Sequence, residues 1–408
     1  MNTIFDEIID RSGTNSIKWE FAPREDDPHQ VDHTDRFVKQ DGDLPMWVAD
    51  MDFRCPEPVI RALAARVQHG IFGYSSPTDG FYDAAIRWMW RRHGWQIARD
   101  WICITPGVVP ALNLLVRTFV KPGEKVLIQP PVYHPFRHAA ESNGAEVVRS
   151  PLVYRDGRYW MDFDDLETRA RDPQVKMAIL CSPHNPVGRV WSRDELERFG
   201  RISIDNGVLV VADEIHSDLM FRGSVFEPFG KLATDLVEHS VICTAPSKTF
   251  NLAGLQTSCI VIANEELRTR FRLTIDATGG GLPNAFGIVA LQTAYEQGEP
   301  WLEELLDYLQ GNLEYVESFV AEHIPEIDVV RPEGTYLVWL DCRKLGLDAE
   351  GLRRLMRDEA RVYLDDGTLF GAEGAGFERL NIACSRSLLE EALERMASAV
   401  ANRAQGGS

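Results

Sequence analysis

Lys248 stands in the segment S-K-T-F-N-L-A-G-L, directly behind the apolar run SVICT (240–244). Such a run reads as a buried strand, and open α/β sheets bind ligands outside the carboxyl ends of their strands, so an amine placed there can capture an aldehyde. Asp213 ends a second apolar run, VLVVAD (208–213), and its carboxylate suits a protonated ring nitrogen through charge pairing. Asn185, in CSPHNPVGRVW, follows KMAILC (176–181), where Pro186 and Gly188 impose a turn that can aim the amide inward. Tyr133, in QPPVYHPF after KVLIQ (125–129), offers a flat face for stacking. His216, in DEIHSDL, is a second polar group close to Asp213. In TPGVVPAL a glycine precedes a helical pattern, so Gly107 and the amides of Val108 and Val109 can meet an anion at a helix N-terminus. Ser247 and Thr244 add hydroxyl donors nearby. Arg386, in RLNIACSR, carries a guanidinium fork that matches a carboxylate.

An amine for an aldehyde, an acid for a pyridine nitrogen, a stacking partner and donors for a phosphate are the requirements of pyridoxal 5′-phosphate (PLP). Lys248 is expected to hold PLP as a Schiff base. Asp213 would face the ring nitrogen, Asn185 and His216 the phenolic oxygen, and Tyr133 the ring. The catalytic set is then Lys248, Asp213 and Tyr133, with Arg386, Asn185 and Tyr133 touching the substrate. Each residue alone has an ordinary reading: a solvated lysine, an acid capping a turn, a packed loop tyrosine, a structural histidine. Their joint occurrence after successive strands favours the cofactor site.

The elements that must position these groups follow an α/β rhythm. Between residues 56 and 285 the apolar runs above, with SCIVIA (258–263), alternate with helical patterns such as PALNLLVRTFV (110–120) and SRDELERFGRISIDNG (192–207). Strand-helix alternation predicts a mostly parallel sheet covered by helices, a large cofactor-binding domain. Residues 286–408 read as a smaller α/β domain: a long helix over 300–323, strands at TYLVWLD (335–341) and RLNIAC (379–384), and a helix over 387–404. Residues 1–55 read as an arm joined to that smaller domain.

Composition excludes other classes. A net charge of −19 without a basic stripe disfavours nucleic acid as a partner. The seven cysteines are scattered and form no C-x-x-C pair, which suits a reducing compartment and speaks against a disulfide or zinc framework. The N-terminus lacks a basic segment leading into an apolar one, and no run reaches the length of a membrane span, so a cytoplasmic protein is expected.

With those motifs in hand, the sequence resembles the fold-type I PLP-dependent transferases of the class I and II aminotransferase superfamily, and within it the MalY/PatB branch of cystathionine β-lyases. PMWVADMDF (45–53), GIFGYSSP (70–77), DEIHSDL and SKTFNLAGLQ carry the likeness. His216 replaces the tyrosine that many aminotransferases have there, and Gln256 stands where many place a phosphate-binding arginine. Cys384-Ser385 before Arg386, and LDDGTLFG (364–371), depart from the branch pattern. The resemblance implies a homodimer sharing its active sites, with Tyr74 lent to the neighbour's phosphate. It also implies β-elimination from cystathionine or another cysteine S-conjugate, giving a thiol, pyruvate and ammonia. An aminotransferase would use nearly the same residues, and a non-catalytic regulatory protein is a third alternative on the same fold.

Overall fold

The computed structural model describes residues 3–20, 42–280 and 283–406. Residues 21–41 of the expected arm lie outside the described residues. A seven-stranded sheet is built from β1 (Ile102–Thr105), β2 (Lys125–Ile128), β3 (Glu146–Arg149), β4 (Val175–Cys181), β5 (Leu209–Asp213), β6 (Ser240–Thr244) and β7 (Ser258–Val261). Its order is β1-β7-β6-β5-β4-β2-β3. Only β7 runs antiparallel, and it does so to both β1 and β6. Two reversals cancel, so β1 points the same way as β2 to β6, and the loops leaving these strands open at one edge.

The inner strands are mostly apolar because both faces are covered, whereas the edge strand β3 exposes Glu146 and Arg149. Side chains alternate along a strand, and in β4 this sends Ala178 and Leu180 into one core while Met177, Ile179 and Cys181 enter another. The second core is closed by helix α1 (Val108–Phe119) through Ala111, Leu112, Leu115 and Val116. Helix α2 (Arg193–Asp205) covers the first face with Leu196 and Phe199. It starts on a capping box, in which the Ser192 side chain accepts from the Glu195 amide and the Glu195 side chain accepts from the Ser192 amide.

A second, antiparallel sheet has the order β8-β9-β11-β10, formed by β8 (Asp328–Val330), β9 (Leu337–Asp341), β10 (Asp365–Asp366) and β11 (Phe377–Asn381). Helices α3 (Glu299–His323) and α4 (Arg386–Gly406) accompany it.

The PMWVADMDF stretch is a strap gripped by both parts. Asn381 on β11 donates to the carbonyls of Val48 and Asp50, both at 2.7 Å. Asn251, just beyond Lys248, donates to those of Met51 and Phe53, both at 2.9 Å. The strap is also anchored to the N-terminal segment, where Asp52 pairs with Lys18 at 2.7 Å and with Arg11 at 2.8 Å. The Lys18 side chain is wholly buried. Truncating one partner strands the other charge, a loss of about 3–5 kcal/mol. Asp52→Ala should therefore lower the urea midpoint of unfolding by a corresponding amount without changing the slope of the transition.

Candidate active site

At the shared edge of the large sheet, the loops after five strands converge on a cavity of about 310 Å³, within the usual range for small-molecule sites. Gly107, Val108 and Val109 follow β1, Tyr133 follows β2, Asn185 follows β4, Asp213 ends β5 with His216 beyond it, and Ser247 and Lys248 follow β6. Gly107 precedes α1 with no side-chain cap, leaving the first amides of that helix directed at the cavity. Gln256 lines the same space.

Lys248 Nζ donates to the Ala49 carbonyl of the strap at 2.6 Å. Burial pushes its pKa down to about 8. The positive Arg379 adds to this drop, against the opposing pull of Asp50 and Asp213. A lysine in that range supplies a neutral amine near physiological pH. Asp213 is 3% exposed and accepts from the Ile215 amide at 3.2 Å. Burial raises its carboxyl to about 7, only partly offset by that bond and by Lys248. A buried acid so sparsely supported gains from a cationic ring nitrogen. His216 is buried, its Nδ1 meets no partner among the described residues, and burial beside Lys248 and Arg379 drives its pKa well down, so the imidazole is neutral. The acid, the neutral imidazole, the amine and the open helix amides fit PLP.

Asn185 is oriented by a neighbour that sequence reasoning did not single out. Arg379 on β11 donates to Asn185 Oδ1 at 2.8 Å. A guanidinium can only donate, so the amide nitrogen of Asn185 is left for another acceptor. Arg379 is 4% exposed, donates to the Trp47 carbonyl at 3.1 Å and pairs with Asp365, while its Nε has no partner among the described residues. It is thus a buried cation beside Lys248 and Asn185.

Arg386, expected as the carboxylate fork, is not in this cavity. It is the first residue of α4, its Nε donates to Asn312 of α3 at 2.9 Å, and its guanidinium lies 4.8 Å from the Tyr315 ring centre. Both arginines of RLNIACSR are candidates by type, but the strand residue bonds Asn185, which lines the cavity, and the helix residue turns to α3. Thr244 is likewise corrected: it does not line the cavity, and its hydroxyl is bonded to Tyr295, because alternation along β6 turns it away from the Asp213 face. Tyr74 is 99% exposed and lies on a separate open groove with Phe72 and Phe286. Pro106 and Gln256 line both groove and cavity, so the two adjoin. Tyr336 was also missed. Its hydroxyl donates to the Ala49 carbonyl at 2.8 Å, the acceptor that Lys248 uses. A TYLVWLD strand gives no signal for such a role.

Residues 46–396 match the family described as aminotransferase class I and II. The chain is 44% identical over 396 residues to cystathionine beta-lyase PatB of Bacillus subtilis (strain 168), spanning 97% of this chain and 99% of that protein. Cystalysin from Treponema denticola, a structure containing a PLP cofactor, matches with a TM-score of 0.91 at 36% identity over 98% of this chain and 100% of that one. The PLP-bound C-S lyase from Staphylococcus hominis matches with a TM-score of 0.87 at 32% identity over 98% of each chain.

Proposed function

The chain belongs to the aminotransferase class I and II family, and from that premise we propose that it is a PLP-dependent carbon–sulfur β-lyase. Its substrate is L-cystathionine or another L-cysteine S-conjugate, cleaved with water to a thiol, pyruvate and ammonia. The observation that carries the choice of lyase over transaminase is the near-full-length likeness to a cystathionine beta-lyase.

When bound, PLP supplies an electron sink for charge released at the substrate α-carbon. Lys248 would link covalently to its aldehyde. Asp213 would hold a proton on the ring nitrogen, and Asn185 Nδ2 and His216 would serve the phenolic oxygen. Gly107, Val108, Val109 and Ser247 would receive the phosphate. Arg379 takes the role expected of Arg386 and grips the substrate carboxylate, which orients the Cα–H bond. Lys248 Nζ, freed when the substrate amine takes its place, would take the Cα proton as general base; a thiolate then leaves from Cβ, and water releases pyruvate and ammonia from the remainder.

The test is a visible spectrum of the PLP-loaded protein followed by pyruvate and free-thiol assays with L-cystathionine and no keto acid. Equal amounts of both products support β-elimination. Turnover that requires a keto acid points to transamination instead.

The lowered pKa of Lys248 sets a pH dependence. Below about 8 the amine is mostly protonated and cannot attack an aldehyde, while above it the neutral form predominates. The rate at which the apoprotein gains the visible absorbance of linked PLP should rise about tenfold per pH unit below 8. It should level off just above 8, where an unperturbed lysine would keep climbing to about 10.

A homodimer is part of this reading. The exposed side chains of Ile71, Phe72 and Tyr74 form an apolar edge beside the groove that adjoins the cavity. Sedimentation at twice the chain mass of 46.1 kDa is expected. A cytoplasmic location accords with seven free cysteines and with the absence, among the described residues, of a helix long and apolar enough to cross a membrane.

A further inference from the structure

The small sheet separates two spaces. In its register Asp365 pairs with Arg379 and Asp366 with Glu378. Successive side chains point to opposite faces, so while Arg379 reaches Asn185, Glu378 projects the other way. There it meets a second cavity, of about 230 Å³, whose apolar walls include Met356, Val362, Leu364 and Leu369.

Glu378 is 2% exposed, and no described residue hydrogen-bonds or ion-pairs with its carboxyl group. Its cross-strand neighbour is another acid, Asp366, whose Oδ1 accepts from the Thr368 amide at 2.8 Å and from its hydroxyl at 2.7 Å. Like charges directly opposite across strands destabilise a sheet, and an unpaired buried carboxylate costs more still. The arginines at the rim do not relieve it. Arg353 pairs with Glu350, and Arg357 lies 4.8 Å from the Tyr363 ring centre and bonds its hydroxyl. Burial and the two neighbouring aspartates push the Glu378 carboxyl well up, which marks the same deficit of positive charge.

We propose that this cavity is a binding site for a small organic cation, whose ammonium group is received by Glu378 and Asp366 and whose hydrocarbon part lies against the apolar walls. A metal ion fits the place less well. The other acids on its lining, Asp365 and Glu350, are paired with Arg379 and Arg353, and no group of three His, Cys, Asp or Glu residues able to hold a metal exists among the described residues. The site is a separate cavity from the one at Lys248, although Asp365, the partner of Arg379, lines it, and it does not depend on the reaction proposed there.

The test titrates the PLP-loaded protein with N,N-dimethylbutylamine at pH 7 in a calorimeter. This tertiary ammonium keeps an N–H donor and cannot condense with an aldehyde, so the cofactor does not compete for it. Saturable binding of one molecule per chain is expected, weakened at least about tenfold by Glu378→Gln, as the loss of a charge-assisted hydrogen bond requires. Asp366→Asn should also weaken it and serves as the second variant if Glu378→Gln fails to fold. Absence of saturable binding to the unsubstituted protein overturns the proposal. Binding that the folded variants retain at full strength overturns it as well.

Discussion

Replacing Lys248 by alanine should reduce pyruvate release from L-cystathionine by at least about a thousandfold, since one general base alone contributes about 10²–10⁴ and the covalent link to the cofactor is lost with it. The protein should still fold. Among the described residues Lys248 makes one side-chain hydrogen bond, to the Ala49 carbonyl, and that carbonyl retains the Tyr336 hydroxyl. Circular dichroism should therefore match the unsubstituted protein, while the visible absorbance of covalently linked PLP disappears. A variant with more than a tenth of the original turnover would remove Lys248 from the mechanism.

Arg379→Ala should lower kcat/KM for L-cystathionine by about 10²–10³, because truncating one partner of a desolvated, hydrogen-bonded charge pair costs about 2–5 kcal/mol. Arg386→Ala should change it by less than about threefold, since that side chain is committed to Asn312 and Tyr315. Removing Arg379 also frees Asp365 and Asn185 Oδ1. Arg379→Lys separates the effects: it keeps the charge beside Asp365 but loses the planar fork, so it should recover stability better than kcat/KM. Equal losses in the alanine variants of both arginines would contradict the separation of roles.

Much of the candidate site can be read in the chain because its parts are local. Lys248, Asp213, Asn185 and Tyr133 each lie at or just past an apolar run, and a run of that kind declares both a strand and the direction in which it ends. KVLIQ, KMAILC, VLVVAD, SVICT and SCIVIA all became strands of one sheet. The short runs of β1 and β3 did not stand out, since four residues of mixed character carry little periodicity. The antiparallel direction of β7 was likewise hidden, because an apolar strand looks the same in either direction.

The residues that sequence reasoning misplaced all depend on contacts between distant segments. Arg379 and Arg386 lie in one motif, and only the packing of β11 against Asn185 and of α4 against α3 distinguishes them. Thr244 lies close to Lys248 in the chain, yet strand alternation turns it to Tyr295. The acid pair Asp366 and Glu378 lies 12 residues apart in the chain and becomes a pair only through the register of β10 and β11. Residue type and strand ends are local properties, so the requirements of a PLP site are legible in the chain. Which arginine bonds Asn185, what the PMWVADMDF strap holds, and where a buried charge lacks a partner among the described residues depend on tertiary contacts, because charge and hydrogen bonding act through space.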